Sequence, residues 1–367
     1  MDDKQLKSFK NKIGENDLIL KIYRDRSGKN KWSIICSALD WIEVALSGID
    51  TSTLSSKNDH QASIKMMTFI SCVDVMWEAI QQLHRVLFET DKIPFKQDCS
   101  VFKKSVSDNE YFKIIRACFA AHPVNLRNVY PDDEKGEHWY ASWSGKIFSR
   151  QDFSVILYSN SSEREPRFFD VRFEEIYEFA EKRYQYLSDL MKRIDLIKNE
   201  YLESFRRIPI DIEDTDTESI SVLIAENKKR LDCDCFDYEL QKIRRVYQTD
   251  YKETEKNNFA MNEYKRALKD ELDELRSKLQ KMEFGDLMNQ VNDDVPLEIQ
   301  YDFSELSGAV LRGTRSCLPL DFPIEKVKTG ISDVVDIDES MTAEELYVLV
   351  CAGAYLINRG KILKIHH

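Results

Sequence analysis

Glycine is scarce in this chain, and its few glycines never cluster. Eleven occur among 367 residues, and neither G-x-x-x-x-G-K-[ST] nor G-x-G-x-x-G is present. Loops that cradle nucleotide phosphates need closely spaced glycines, because the backbone must approach the phosphates. The sequence therefore argues against a nucleotide-hydrolysing motor and against a dinucleotide-dependent enzyme.

Long hydrophobic runs are also missing. No apolar run approaches the roughly 20 residues that cross a membrane, and the N-terminal stretch "MDDKQLKSFKNKIGEN" has no apolar signal-peptide segment. Hydrophobic residues nevertheless make up 42% of the chain, which is enough to build cores. We expect a cytoplasmic globular protein of two or three compact units, with no membrane partner.

The sequence also lacks paired metal ligands. The eight cysteines are scattered, and Cys233 and Cys235 in "LDCDCFD" have no second Cys or His pair to complete a four-ligand zinc site. The acidic run over 211–218 lacks the glycine turn of a calcium loop. We expect no metal site and no cofactor, and we expect the cysteines to be reduced and mostly buried.

An excess of positive charge is also missing, because 65 acidic residues outnumber 53 Lys and Arg. The formal net charge is −12, which disfavours a long nucleic-acid-binding surface but is compatible with a small basic cleft. The charge balance is reversed in residues 1–31, which contain nine Lys or Arg and five acids. This local excess predicts a basic N-terminal arm over 1–30, either a solvated tail or a segment that faces phosphate.

Helical periodicity dominates residues 31–205. Apolar residues recur at helical spacing over 31–49 and 61–90, and Ser107 with Glu110 forms the capping-box pattern of a third helix. The aromatic stretch over 128–146 has no period and predicts a loop. The pattern therefore predicts a helical bundle.

A β-hairpin and a long helix follow in the same region. Segments 152–160 and 167–173 have strand composition and are separated by the turn "SSEREP", which predicts a hairpin over 152–173. From Arg172 to Phe205 there is neither glycine nor proline, and apolar residues recur every three or four positions. We expect one continuous helix there, about 50 Å long.

The C-terminal part divides into two patterns. Residues 206–284 predict a helical arm, either a long antiparallel helical hairpin or coiled coil, or a packed bundle without regular supercoiling. Its near-heptad positions are Tyr264, Leu268, Leu272, Leu275, Leu279 and Met282. Residues 285–367 predict a small mixed region with one good helix, whose start and stop signals are Thr342, Glu345 and Gly360.

The stretch "YFKIIRACFAAHPVNL" places Arg116 and His122 near the end of the third helix. On an uninterrupted helix, six residues turn the chain through about 600°, so the two side chains would project about 120° apart. In that interpretation His122 packs in the core and Arg116 points outward. Pro123 offers an alternative, because it displaces the residue before it from the α region. The helix should then end at about Ala121, and His122 can turn back toward Arg116.

An arginine and a histidine held together provide the groups needed to cleave RNA without a metal. The imidazole can transfer protons near neutral pH, and the guanidinium carries a permanent positive charge. The ribose 2′-hydroxyl would attack the neighbouring phosphate while these groups move protons and stabilise the developing charge.

The segment "RACFAAH" resembles the R-x4-6-H motif of the HEPN superfamily, the higher eukaryote and prokaryote nucleotide-binding helical bundles. As in that family, two helices precede the motif helix and a further long helix follows, so the resemblance covers roughly residues 30–205. It implies a metal-independent endoribonuclease of the toxin or antiviral defence type. It also implies a homodimer in which two copies of the motif meet, with His122 as general acid or base and Arg116 as the phosphate contact.

Two features near the motif affect this expectation. Family members often have a polar residue directly after the arginine, whereas this chain has Ala117. Asn125 could supply a polar substrate contact, and His138 lies among aromatic residues on which a base could stack or which could simply pack the loop.

The expected partners are RNA, a second copy of the chain, and a regulatory protein bound by the helical arm or the C-terminal region. The alternative is a non-enzymatic interaction or scaffold protein with an inactive HEPN-like bundle.

Overall fold

The computed structural model describes residues 1–49, 58–143, 152–212, 217–230, 235–311 and 324–360. The chain forms two compact units, Met1–Tyr201 and Leu202–His367. The described residues are mainly helical, with a small three-stranded antiparallel sheet, which confirms the predicted mainly α class.

The first unit begins with two helices, α1 (Lys4–Gly14) and α2 (Leu18–Arg24). Leu6, Phe9 and Ile13 of α1 are buried in the core of this unit. The prediction of a basic arm over 1–30 was therefore wrong. The apolar residues at helical spacing determine how this segment packs, and its many basic side chains project from the other face.

Helices α3 (Trp32–Gly48) and α4 (Asp59–Phe88) pack side by side along the first unit. Ile34 near the start of α3 lines the same surface hollow as Gln82 near the end of α4. Val44 near the end of α3 shares a second hollow with Ile64 near the start of α4. The two helices are therefore antiparallel.

The motif helix is α5 (Asp108–Arg116), and its predicted capping box is confirmed. The Ser107 hydroxyl accepts a hydrogen bond from the Glu110 backbone N–H, and the Glu110 carboxylate accepts one from the Ser107 backbone N–H, both at 3.3 Å. A π-helical turn over Ala117–Ala121 extends α5. The helical segment thus ends at Ala121, where Pro123 predicted its end.

The sheet contains β1 (Trp139–Trp143), β2 (Phe153–Ser159) and β3 (Arg167–Val171) in sequence order, all antiparallel. Strands β2 and β3 confirm the predicted hairpin. The loop predicted over 128–146 was wrong at β1, which pairs with β2 along its whole length. Backbone pairing to β2 and burial of Trp139 stabilise β1, and neither leaves a local period in the sequence.

Two helices, α6 (Phe173–Gln185) and α7 (Leu187–Arg206), replace the single long helix predicted from Arg172 to Phe205. The break is at Tyr186, whose hydroxyl hydrogen-bonds to His84 Nδ1 at 2.8 Å. The helix is thus interrupted at a residue that contacts α4, although the sequence there contains neither glycine nor proline.

The described residues of the second unit contain helices and connecting segments and no strand. Its helices are α8 (Thr217–Arg230), α9 (Asp237–Gln248), α10 (Glu255–Lys281), α11 (Gln300–Leu311), α12 (Ile324–Ile331) and α13 (Ala343–Asn358), with a 3₁₀ turn at Leu297–Ile299. The start of α13 is as predicted, because the Thr342 hydroxyl accepts a hydrogen bond from Glu345 N–H. The described part of the predicted mixed region 285–367 contains helices and no strand.

Helix α10 packs against α8, α9 and α13, so the prediction of a long helical hairpin or coiled-coil arm over 206–284 was wrong. All its near-heptad residues are buried, from Tyr264 to Met282. The alternative of a packed bundle without regular supercoiling describes this region. An apolar stripe at this spacing fits several neighbouring helices as well as it fits one partner.

Five of the described cysteines are reduced, and one is not. Cys36, Cys72, Cys99, Cys118 and Cys351 are free, whereas Cys235 is disulfide-bonded, so the expectation of reduced thiols was wrong at Cys235. Among the helices described, none is long and apolar enough to cross a membrane.

Candidate functional site

Arg116, the last residue of α5, forms an ion pair with α4. Its Nη1 donates to Asp74 Oδ2 at 2.7 Å, and the two side chains are 38% and 30% exposed. A guanidinium carries several N–H donors, and this bond uses one nitrogen. The Nε of Arg116 is buried and has no hydrogen-bond partner. Asp74 therefore fixes the guanidinium while part of it remains accessible to a ligand.

His122 follows the π-helical turn and lies outside the α region, with φ −140° and ψ 44°. Its backbone N–H donates to the Ala117 carbonyl at 3.2 Å, the five-residue bond that defines a π turn. The imidazole is exposed. The interpretation in which His122 packs in the core is therefore wrong, although the apolar stripe that it would have extended is buried: Phe112, Ile115 and Phe119.

Arg116 and His122 are not in direct hydrogen-bond contact. Arg116 is held by Asp74, and no described residue hydrogen-bonds to the His122 imidazole. Both side chains reach solvent, at the two ends of the π turn.

The structure places Asn125 and His138, the two candidate substrate contacts, next to each other. Asn125 Oδ1 lies 2.8 Å from His138 Nδ1. This contact holds one edge of the imidazole and leaves Nε2 on the opposite edge of the ring. Backbone hydrogen bonds between Leu126 and Trp139 fasten the segment after the motif to β1. Asn125, three residues beyond His122, and His138, next to Trp139, are therefore both on anchored backbone.

The aromatic residues beside His138 have separate roles. Trp139 is fully buried and its Nε1 donates to Asp133 at 2.9 Å, while Trp143 packs edge-on against Phe119 with ring centroids 5.6 Å apart. Trp139 therefore packs in the core from its place in β1, whereas Trp143 contacts Phe119 and remains 39% exposed. Tyr140 is different: it is exposed and lies directly across the sheet from exposed Tyr158.

Asp74 is the site residue that sequence reasoning missed. The available signal was one carboxylate within the apolar segment "SCVDVMW" of a helix already predicted to be central. Two other polar residues of α4, Glu78 and His84, have different surroundings. Glu78 accepts from Gln82, and His84 is buried against Tyr186, so both have partners away from the motif.

Asp108 and Glu110 have structural roles at the start of α5. Asp108 is fully buried and accepts backbone hydrogen bonds from Val101 and Phe102, both at 3.0 Å. Glu110 completes the capping box. These contacts fix the start of the helix that carries Arg116.

No group of three or more His, Cys, Asp or Glu side chains among the described residues is arranged to hold a metal ion. Comparison of the chain with protein-family models, with curated proteins and with solved structures finds no match.

Proposed function

We propose that this protein is a metal-independent endoribonuclease, acting as a toxin or antiviral defence effector in the cytoplasm. The observation that carries the proposal is the arrangement around the π turn. Arg116, anchored by Asp74, precedes the turn, and exposed His122 follows it. Single π turns in α-helices are frequent at functional sites, which supports a functional rather than a packing role.

The reaction needs one nucleophile, one leaving group and two proton transfers. The ribose 2′-oxygen bonds to phosphorus as its proton passes to a base, and the bond from phosphorus to the 5′-oxygen breaks as that oxygen receives a proton. The products are a 2′,3′-cyclic phosphate and a 5′-hydroxyl. The His122 imidazole can act as the base or the acid, since this type of ring can both accept and donate a proton.

Arg116 stabilises charge in this mechanism. Negative charge accumulates on the non-bridging phosphate oxygens in the transition state, and a guanidinium offers planar donors that match them. Asp74 is a positioning residue, because it holds one edge of that guanidinium through Nη1. Its carboxylate leaves the exposed part of the Arg116 side chain free to meet the phosphate.

The Asn125–His138 pair supports the proposal as a substrate contact. His138 Nε2 can accept a hydrogen bond from a base or a ribose hydroxyl, because Nδ1 is engaged by Asn125. Bases that splay out of single-stranded RNA commonly stack on aromatic rings, and Tyr140 lies two residues further along the chain and is exposed.

The test is RNA cleavage in EDTA. The wild-type chain should yield fragments that end in a 2′,3′-cyclic phosphate, and His122→Ala and Arg116→Ala should each lose about 10²- to 10⁴-fold in rate. His60→Ala and Arg24→Ala are matched controls, because both side chains are exposed elsewhere in the first unit, and they should cleave at the wild-type rate.

Two outcomes would overturn the proposal. Equal cleavage by folded His122→Ala and Arg116→Ala would identify a contaminating nuclease, and loss of wild-type cleavage in EDTA would indicate a metal-dependent hydrolase. Absence of cleavage by the wild type would favour the alternative of a non-enzymatic interaction protein. That alternative is supported by Ala117 and by the exposed apolar face of α3 and α4.

A further inference from the structure

The three-stranded sheet of the first unit has a packed face and an outer face. Successive side chains of a strand point to opposite sides, and Val155, Leu157 and Phe169 are buried in the core on the inner side. The solvent side of such a sheet is ordinarily polar. Here each strand instead contributes one exposed aromatic side chain to it: Tyr140 (42% exposed), Tyr158 (44%) and Phe168 (52%).

We propose that this outer face binds the unpaired bases of the RNA strand that continues from the cleaved phosphate. The inference rests on the proposed nuclease function for the identity of the ligand, and it assigns the surface that holds that ligand. Aromatic rings suit this ligand because every base has a flat face that can stack on them, whatever the sequence.

The three rings are close enough to form one platform. Tyr140 lies directly opposite Tyr158, which places their Cβ atoms about 5 Å apart. Phe168 lies opposite Ile156, two residues before Tyr158 on the same face, so it is a diagonal neighbour of Tyr158 at roughly 7 Å. Tyr140 and Tyr158 are at the end of the sheet remote from the connection between β1 and β2 over 144–151. Successive bases of one strand can therefore stack on neighbouring rings.

The platform is continuous with the candidate site. The Ala141 backbone N–H donates to the Pro123 carbonyl at 2.6 Å, and Leu126 and Trp139 exchange backbone hydrogen bonds at 2.9 and 3.0 Å. The segment that follows His122 therefore runs along the edge of β1. An RNA strand whose phosphate lies at His122 meets the sheet within a few residues of the site.

Polar side chains line this edge on the outer side. Asn125 and Arg127 flank Leu126, which is buried, so they point to the side opposite to it. The contact between Asn125 and His138 at 2.8 Å agrees with this placement, because His138 and Tyr140 share the outer face. Arg127 is exposed and can pair with a phosphate of the bound strand.

The charges on this face favour RNA over a basic protein partner. Asp170 is the one acidic residue that the three described strands place on the outer side, and it accepts a hydrogen bond from the Ser154 hydroxyl at 2.5 Å. Both residues are toward the end of the sheet away from Tyr140. The rings are therefore bordered by Arg127 and by hydrogen-bonding side chains, as a surface that tracks a polyanion requires.

Binding of an RNA that cannot be cleaved tests the surface. A single-stranded 2′-O-methyl oligonucleotide of about 12 residues lacks the attacking hydroxyl, so fluorescence anisotropy measures its affinity without catalysis. Tyr140→Thr, Tyr158→Thr and Phe168→Thr should each raise its dissociation constant about 5- to 30-fold, because threonine suits a strand but has no ring. Tyr158→Phe keeps the ring and should bind as the wild type does.

Two further measurements identify the ligand. Arg127→Ala should weaken binding and reduce the slope of log affinity against log salt by about 0.7, the value for one phosphate contact on a single strand. A duplex of the same sequence should bind at least about 10-fold more weakly, because its bases are paired and cannot splay onto the rings. Tyr301→Thr is the matched control, since Tyr301 is exposed on α11 in the second unit, and it should bind as the wild type does.

Three outcomes would overturn the proposal. Unchanged affinity in the three threonine variants, with a lower urea midpoint, would assign the rings to the stability of the sheet. Equal affinity for the duplex would exclude stacking of unpaired bases. Absence of binding by the wild type up to about 100 µM would favour a protein partner for the rings.

The uncleavable probe also separates this proposal from the nuclease. A wild type that binds the probe through the rings but yields no fragments in EDTA would contradict the nuclease and support the surface. Cleavage without ring-dependent binding would contradict the surface alone.

Discussion

At the scale of single residues, the environment of each polar group determines its role. Arg116 and His122 were singled out as a pair, yet each has its own setting: Arg116 in an ion pair with Asp74, His122 exposed beyond the π turn. His84 had a comparable sequence context, within an apolar helix. It is buried against Tyr186 and Phe88 instead, which gives it a structural role.

The burial of His84 predicts a pH dependence of stability. Burial, with a smaller contribution from nearby Arg85, lowers the pKa of His84 below its ordinary value. The unfolded chain therefore binds a proton at a higher pH than the folded chain does. The free energy of unfolding should be unaffected by His84 above about pH 7 and should fall as the pH drops through the unfolded pKa of about 6.5.

The measurement is the urea midpoint at about pH 7.5 and about pH 5.5. His84→Gln should lose less stability over this interval than the wild type, because glutamine can still hydrogen-bond to Tyr186 but does not titrate. His60→Gln, at an exposed histidine, should behave as the wild type. An unchanged acid sensitivity in His84→Gln would assign the effect to other groups.

At the scale of elements, helix ends were more predictable than helix continuity. The capping box at Ser107 and the stop before Pro123 depend on groups within a few residues of each other, and both are present. The interruption at Tyr186 and the strand β1 accompany tertiary contacts that leave no local pattern in the sequence, and both escaped prediction.

The capping box predicts the stability of the motif helix. Ser107→Ala removes the hydroxyl that accepts from Glu110 N–H, so it should lower the free energy of unfolding by about 1 kcal/mol. Ser107→Thr keeps an oxygen at that position and should lose much less. Urea unfolding followed by tryptophan fluorescence measures the difference, and equal stability of the wild type and Ser107→Ala would contradict the assigned cap.

At the scale of the whole molecule, the chain has two compact units, each with its own buried residues. All five tryptophans belong to the first unit, Met1–Tyr201. Tryptophan fluorescence therefore reports the first unit alone, whereas far-ultraviolet circular dichroism reports the helices of both.

This distribution predicts two unfolding transitions. In urea, fluorescence should show one transition, and circular dichroism should show that transition together with a second one at a different midpoint, because units with separate cores unfold as separate cooperative steps. Core variants provide the check: Phe179→Ala in the first unit should shift the fluorescence transition, and Leu268→Ala in the second should not. Coincident curves for both probes would show that the chain unfolds as one cooperative unit.

The sequence by itself determined the mainly helical class, the β2–β3 hairpin, the caps at Ser107 and Thr342, and the end of the motif helix before Pro123. Periodicity, capping and proline sterics act over a few residues, so they can be read locally. Only the tertiary structure decided that Asp74 holds Arg116, that His122 is exposed, that Trp139 lies in a strand and that α10 is enclosed by other helices. Asp74 and Arg116 are 42 residues apart, and contacts at that separation depend on how helices pack, which no local pattern in the sequence specifies.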